Sequence, residues 1–104
     1  MSSFDEREKS FEKKFIRDEE LQFKVHAKRN KYLGGWAAEK LGKTNEDKIN
    51  YIQEVIKSDF SEPGDEDVFR KISNDFKKSS LSITDTEIRE KMISFLELAK
   101  KDFL

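Results

Sequence analysis

The chain has 104 residues, enough for one domain; 41% are charged and 35% hydrophobic, so any core must be small. A formal net charge of −1 provides no global field to recruit nucleic acid or an anionic membrane. Cysteine is absent, which excludes disulfides and thiol chemistry and fits a reducing cytosol.

No apolar run reaches the length of a signal peptide or a membrane span, so a soluble, unprocessed protein is expected. Leu, Ile, Val and Phe make up about a quarter of the residues, above the range of roughly 20% below which chains stay disordered. One proline and four glycines leave few helix breakers. The pattern is helical throughout, with no alternating strand signal and no internal repeat.

In chain order, the first predicted helix runs from Phe4 to about Leu41. At about 100° per residue, Phe4, Phe11 and Phe15 share a narrow arc, and the next turns of that arc carry Asp18, Gln22, His26 and Arg29. A second stripe, Leu21, Val25 and Tyr32, leads into Leu33, Trp36 and Ala37, so the helix is expected to change faces near Asp18-Glu19-Glu20. Gly34-Gly35 either weakens this helix or admits a neighbouring backbone. Gly42 reads as a C-terminal cap.

Thr44 with Asp47 in capping-box register opens the second helix, whose apolar face reads as Ile49, Ile52, Ile56 and Phe60. The turn SEPGDED (61–67) follows, and Asp65, Glu66 and Asp67 suit the first turn of a third helix with the face Val68, Phe69, Ile72 and Phe76. Ser79-Ser80 closes it. Thr84 and Glu87 form a second capping box before the last helix, where Ile88, Met92, Phe95, Leu96, Ala99 and Phe103 recur at helical spacing. Short loops between amphipathic helices predict an all-α fold, a small antiparallel four-helix bundle. Residues 19–104 form that four-helix domain, and residues 1–18 a mobile N-terminal segment on the long first helix.

Catalytic chemistry finds little material. The one histidine, His26, stands among Lys24, Lys28 and Arg29, and acids and bases alternate as on a solvated, salt-bridged face. No paired acids stand on an apolar face, so no catalytic residue is assigned. Ala37 to Thr44 has the spacing of a phosphate loop, but it ends one helix and starts another and lacks the first glycine. Asp59 to Arg70 has the spacing of a calcium loop, but Arg70 stands where a glutamate is required and Pro63 occupies the fifth position. No metal ligand set is assigned. The basic group Lys24, Lys28, Arg29 and Lys31 reads as the polar face of a helix, or else as a weak contact for a nucleotide phosphate.

What remains is FDEREKSFEKKF, residues 4–15, where three rings stand among four acids and four bases. A first helix of 38 residues would span about 57 Å, and the shorter helices can cover only its Leu21–Leu41 part. The Phe4–Phe15 stripe is therefore expected to project beyond the bundle. It could fold back, self-associate, or lie in a partner's hydrophobic groove, a mode that uses anchors repeated on one helical face, as these three are at i, i+7 and i+11. Three rings buried at roughly 1.5–3 kcal/mol each would offset the ordering of a loose arm. A segment without net charge is a poor membrane binder.

Three stretches carry a family resemblance: FDEREKSFEKKF (4–15), DEELQFKVHAKRNKYLGGWAAEKLG (18–42) and DFSEPGDEDVFRKISNDF (59–76). Their patterns F-x-x-R-E-x-x-F-E-x-K-F, RNK-x-L-G-x-W-A-A and EPGDED-x-x-RKI resemble the zeta subunit family, small inhibitors of the F-type ATP synthase in alphaproteobacteria. The resemblance implies a non-enzymatic four-helix domain whose N-terminal segment enters the catalytic head, formed by the alpha, beta and gamma subunits, and blocks rotation in the hydrolytic direction. It implies inhibitory roles for Phe4, Arg7, Glu8, Phe11, Glu12, Lys14 and Phe15. It also implies a cytoplasmic protein attached to the cytoplasmic head of the membrane-bound enzyme and monomeric when free, with no cofactor beyond a candidate ATP or ADP ligand. Ile16-Arg17 stands where many members have Ala-His, so a histidine pH switch at that place is not implied. The alternative reading is a helical sensor that binds an adenine nucleotide through the basic group.

Overall fold

The computed structural model describes residues 19–60 and 64–103. Four helices occupy them: α1 (Glu19–Lys40), α2 (Asn45–Ser58), α3 (Glu66–Lys78) and α4 (Asp85–Asp102), and the described residues contain no strand. Helix α1 packs on α2 and α4, and α3 packs on the same two, so α1 and α3 stand diagonally across a four-membered ring. Side-chain pairs fix the directions. Lys48 meets Glu39 while Phe60 stacks on Phe23, so α1 and α2 are antiparallel. Tyr51 bonds Asp75 while Glu54 bonds Lys71, so α2 and α3 are antiparallel too. Trp36 lies near Lys91 and Tyr32 stacks on Phe95, which sets α4 antiparallel to α1. The expected all-α antiparallel bundle is the observed fold.

Local chemistry sets the helix ends. Gly42 has φ of 75°, and around it the Lys43 amide donates to the Ala38 carbonyl (2.9 Å) and the Gly42 amide to that of Glu39 (3.0 Å). This paired closure satisfies two terminal carbonyls of α1. Helix α3 ends the same way, with Leu81 donating to Phe76 (3.0 Å) and Ser80 to Lys77 (3.1 Å), although the left-handed residue here is Ser80, at φ 59°. Leu81 then packs against the core beside Phe76. At the start of α4, Thr84 Oγ1 accepts from the Glu87 amide at 3.1 Å, as its spacing predicts.

The Thr44 box does not form. Thr44 makes no side-chain cap bond, and the Asp47 amide donates to its carbonyl at 3.1 Å instead. Asn45 takes a left-handed φ of 53°. That rotation carries the Thr44 hydroxyl away from the amides it would otherwise cap.

The core joins Leu33, Ala37 and Ala38 of α1 to Tyr51, Val55, Val68, Ile72, Phe76, Ile88 and Met92. Each large side chain removed from water stabilises the fold by roughly 1.5–3 kcal/mol. Trp36 sets its edge on Phe76, with centroids 5.6 Å apart, which links α1 to α3 across the diagonal. The predicted faces of α3 and α4 hold. That of α2 does not: Ile49 and Phe60 are exposed, and Tyr51 and Val55 are buried in their place. The true face is turned by about a quarter of a helical rotation. Tyr51 can occupy the core because its hydroxyl donates to Asp75 Oδ2 at 2.8 Å, a satisfaction that apolar periodicity cannot register.

On α1, Arg29 and Leu33 are both fully buried, so the inward face of this helix includes Arg29, a position on the arc expected to carry Gln22 and His26 as polar residues.

Candidate functional site

All seven residues expected to inhibit, Phe4, Arg7, Glu8, Phe11, Glu12, Lys14 and Phe15, lie outside the described residues. The other expected group is on α1, and its members diverge. Lys24 is exposed and pairs with Glu20 at 3.5 Å. Lys28 places its ammonium 5.5 Å from the Tyr32 ring centroid, and Lys31 is exposed. Arg29 points the other way, 1% exposed.

Arg29 therefore belongs to the interior and not to the solvated face expected for it. Its Nη2 donates to Asp65 Oδ1 at 2.9 Å and its Nε to Asn30 Oδ1 at 2.6 Å. Asn30, also buried, donates to Asp59 Oδ2 at 3.1 Å. One residue pair on α1 thus grips both ends of the α2–α3 connection. A buried guanidinium is costly unless its donors are met, and here the Asp65 carboxylate and the Asn30 amide oxygen share the task. The hydrogen bond from Arg29 holds the Asp65 carboxyl below the usual carboxylate range and outweighs its partial burial. Periodicity carried a signal for this: Arg29 precedes Leu33 by one turn on the inward arc, and an arginine there needs an acid partner. Which acid answers is a tertiary fact.

Beside this clamp a hollow of about 160 Å³ is lined by Arg29, Asp65, Arg89, Met92, Ile93 and Leu96. None of Lys24, Lys28 or Lys31 reaches it. Arg89 closes one end: its guanidinium lies 3.9 Å from the Phe69 ring centroid and bonds Glu66 at 3.1 Å. A second feature of the same bundle end is the stacked pair Phe23–Phe60, centroids 5.5 Å apart, with both rings more than half exposed. On the opposite side, Lys71 bridges Glu54 (2.9 Å) and Asp75 (3.0 Å) over the face of Tyr51. Burial and the Asp75 carboxylate push the Tyr51 hydroxyl far up its titration scale. Among the described residues, no three His, Asp or Glu side chains converge as a metal site, and no helix is long and apolar enough to cross a membrane.

The sequence profile of the ATPase inhibitor subunit zeta family matches residues 1–102. The chain belongs to that family. The match takes in the bundle and the Phe4–Phe15 segment together, and the family is one of inhibitor subunits. Among solved structures, one determined in solution by NMR is 40% identical, covers 79% of this chain and 93% of its own, and superposes with a TM-score of 0.70. No curated protein matches the chain.

Proposed function

We propose that the protein restrains ATP hydrolysis by the F-type ATP synthase by inserting its N-terminal segment into the catalytic head. The observation that carries this reading is the family match across residues 1–102, which takes in both the bundle and the segment that carries Phe4, Phe11 and Phe15. Phe4, Phe11 and Phe15 would fill apolar pockets at an interface of the head, and Arg7, Glu8, Glu12 and Lys14 would fix the register of the helix. The block is steric: a wedge binds the enzyme in one rotational state and must leave before hydrolysis can turn it onward. The bundle is the handle that keeps the wedge outside the head from being drawn through. Inhibitor and enzyme would meet at the cytoplasmic face, where the head stands clear of the bilayer.

Full-length protein and protein lacking residues 1–18 are added to the isolated ATPase head and hydrolysis is followed. Inhibition by the full chain and none by the shortened one is the expected result. Phe11→Asp and Phe15→Asp should each abolish inhibition while the helical circular dichroism stays unchanged. Equal inhibition by the shortened chain would falsify the wedge.

A further inference from the structure

The apolar face that the sequence assigns to α2 lies mostly on the outside of the molecule. Ile49 is 58% exposed and Phe60 60%, and Ile52 and Ile56 between them are half-buried. Phe23 of α1, 54% exposed, joins this row by stacking on Phe60. Ile52 lies against Gly34, and Ile56 shares a small hollow with Phe23 and Ala27. The row therefore follows the outer seam between α1 and α2, for about 16 Å from Ile49 to Phe60. Lys24 and Lys31, both exposed, stand beside it on α1. Asp65, beyond the α2–α3 connection, is held by Arg29 on the inward side of α1, away from this seam. An apolar strip with a charged border, left in water over three turns of helix, has the make-up of an interface.

We propose that this seam is a second contact with the ATPase head, laid on an apolar patch bordered by carboxylates beside the cleft that takes the wedge. The inference rests on the wedge reading for its partner, and chain geometry then supplies the placement. Phe23 follows Phe15 by eight residues, about 12 Å along a helix and at most about 28 Å fully extended. A head that holds Phe15 therefore has the Phe23–Phe60 end of the bundle within that reach of its surface. A surface held there needs little affinity of its own, because a short link keeps it at an effective concentration of about millimolar. The same size argument disfavours a second copy of this chain as the occupant. Stable association of free proteins buries about 800 Å² on each partner through roughly 20–30 residues, and one row of Phe23, Ile49, Ile52, Ile56 and Phe60 falls short of that. In the complex the wedge blocks rotation, while the seam fixes which side of the bundle faces the head and slows withdrawal of the wedge.

The test uses full-length chains and the intact ATPase head. A photoreactive benzoylphenylalanine in place of Phe60 should cross-link to a subunit of the head on irradiation. The same group in place of Glu90, exposed on α4, should not. Phe60→Ser and Ile49→Ser should each raise the half-inhibitory concentration about tenfold, through faster release, with inhibition still complete at saturation. Thermal unfolding identifies any variant that fails to fold, and Ile49→Ser, at an exposed position clear of the core, decides the matter if Phe60→Ser is one. Inhibition by Ile49→Ser at the wild-type concentration overturns the proposal. So does cross-linking from Phe60 to a second copy of the chain in place of the head, or equal cross-linking from position 90. The two readings fail separately. Wild-type inhibition by Phe11→Asp would sink the wedge and leave a cross-link from Phe60 standing, whereas inhibition lost in Phe11→Asp but untouched in Ile49→Ser sinks the seam contact alone.

Discussion

Adjacent glycines on α1 should respond to the same substitution with opposite signs. A Cβ built on Gly34 would lie 3.1 Å from the Ile52 Cα and 3.4 Å from both Ile52 Cγ1 and Val55 Cβ. The same atom on Gly35 would meet nothing closer than 3.9 Å, at the far ends of Ile52 and Lys48. Both positions are mid-helix, where Gly→Ala gains about 0.8–1 kcal/mol from backbone entropy and propensity. At Gly35 that gain should appear almost whole. At Gly34 the obstacle is backbone: relaxed carbon contacts lie at about 3.5–4.0 Å, so α2 must retreat by about half an ångström. Overpacking of this kind costs about 1–3 kcal/mol. The net expectation is Gly35→Ala stabilised by about 0.5–1 kcal/mol and Gly34→Ala destabilised by about 1 kcal/mol. In a domain of this size that separates the two melting temperatures by roughly 6–16 °C. Urea and thermal unfolding followed by circular dichroism measure both. If Gly34→Ala is as stable as Gly35→Ala, the close approach of α1 and α2 is not what holds Gly34, and the packing argument fails.

Three further tests address the clamp and a helix end. The folded-state pKa of Asp65 is lowered by Arg29, so its stabilisation is fully present above the unfolded value near 3.9 and fades as pH falls through the folded value. In urea titrations from about pH 5 to pH 3, the gap between wild type and Asp65→Asn should narrow steadily; a gap independent of pH would refute the pairing. At neutral pH, Arg29→Met should cost about 2 kcal/mol, chiefly because Asn30 loses a buried donor, with Asp65 left partly in water. Ser80→Gly should raise stability by about 0.5–1 kcal/mol, since φ of 59° strains any side chain with a Cβ. An unchanged or lower urea midpoint would contradict it.

The sequence alone determined the number of helices, their order, most of their ends and the inward faces of α3 and α4. Those features depend on neighbours within about four residues: the Thr84–Glu87 cap, the glycine at position 42, and the spacing of Ile88, Met92 and Ala99. It also carried the family, because the Phe4–Phe15 pattern and the EPGDED turn are linear strings.

Sequence went astray wherever a residue's environment was supplied from far along the chain. Tyr51 entered the core because Asp75, on the next helix, satisfied its hydroxyl, and Ile49 was left outside as a result. Arg29 looked like a member of a basic surface until Asp65, thirty-six residues away, drew it inward. Local rules set what each helix is; the lengths of its partners, and which acid meets which base across the ring, decide which of its side chains are left for anything else.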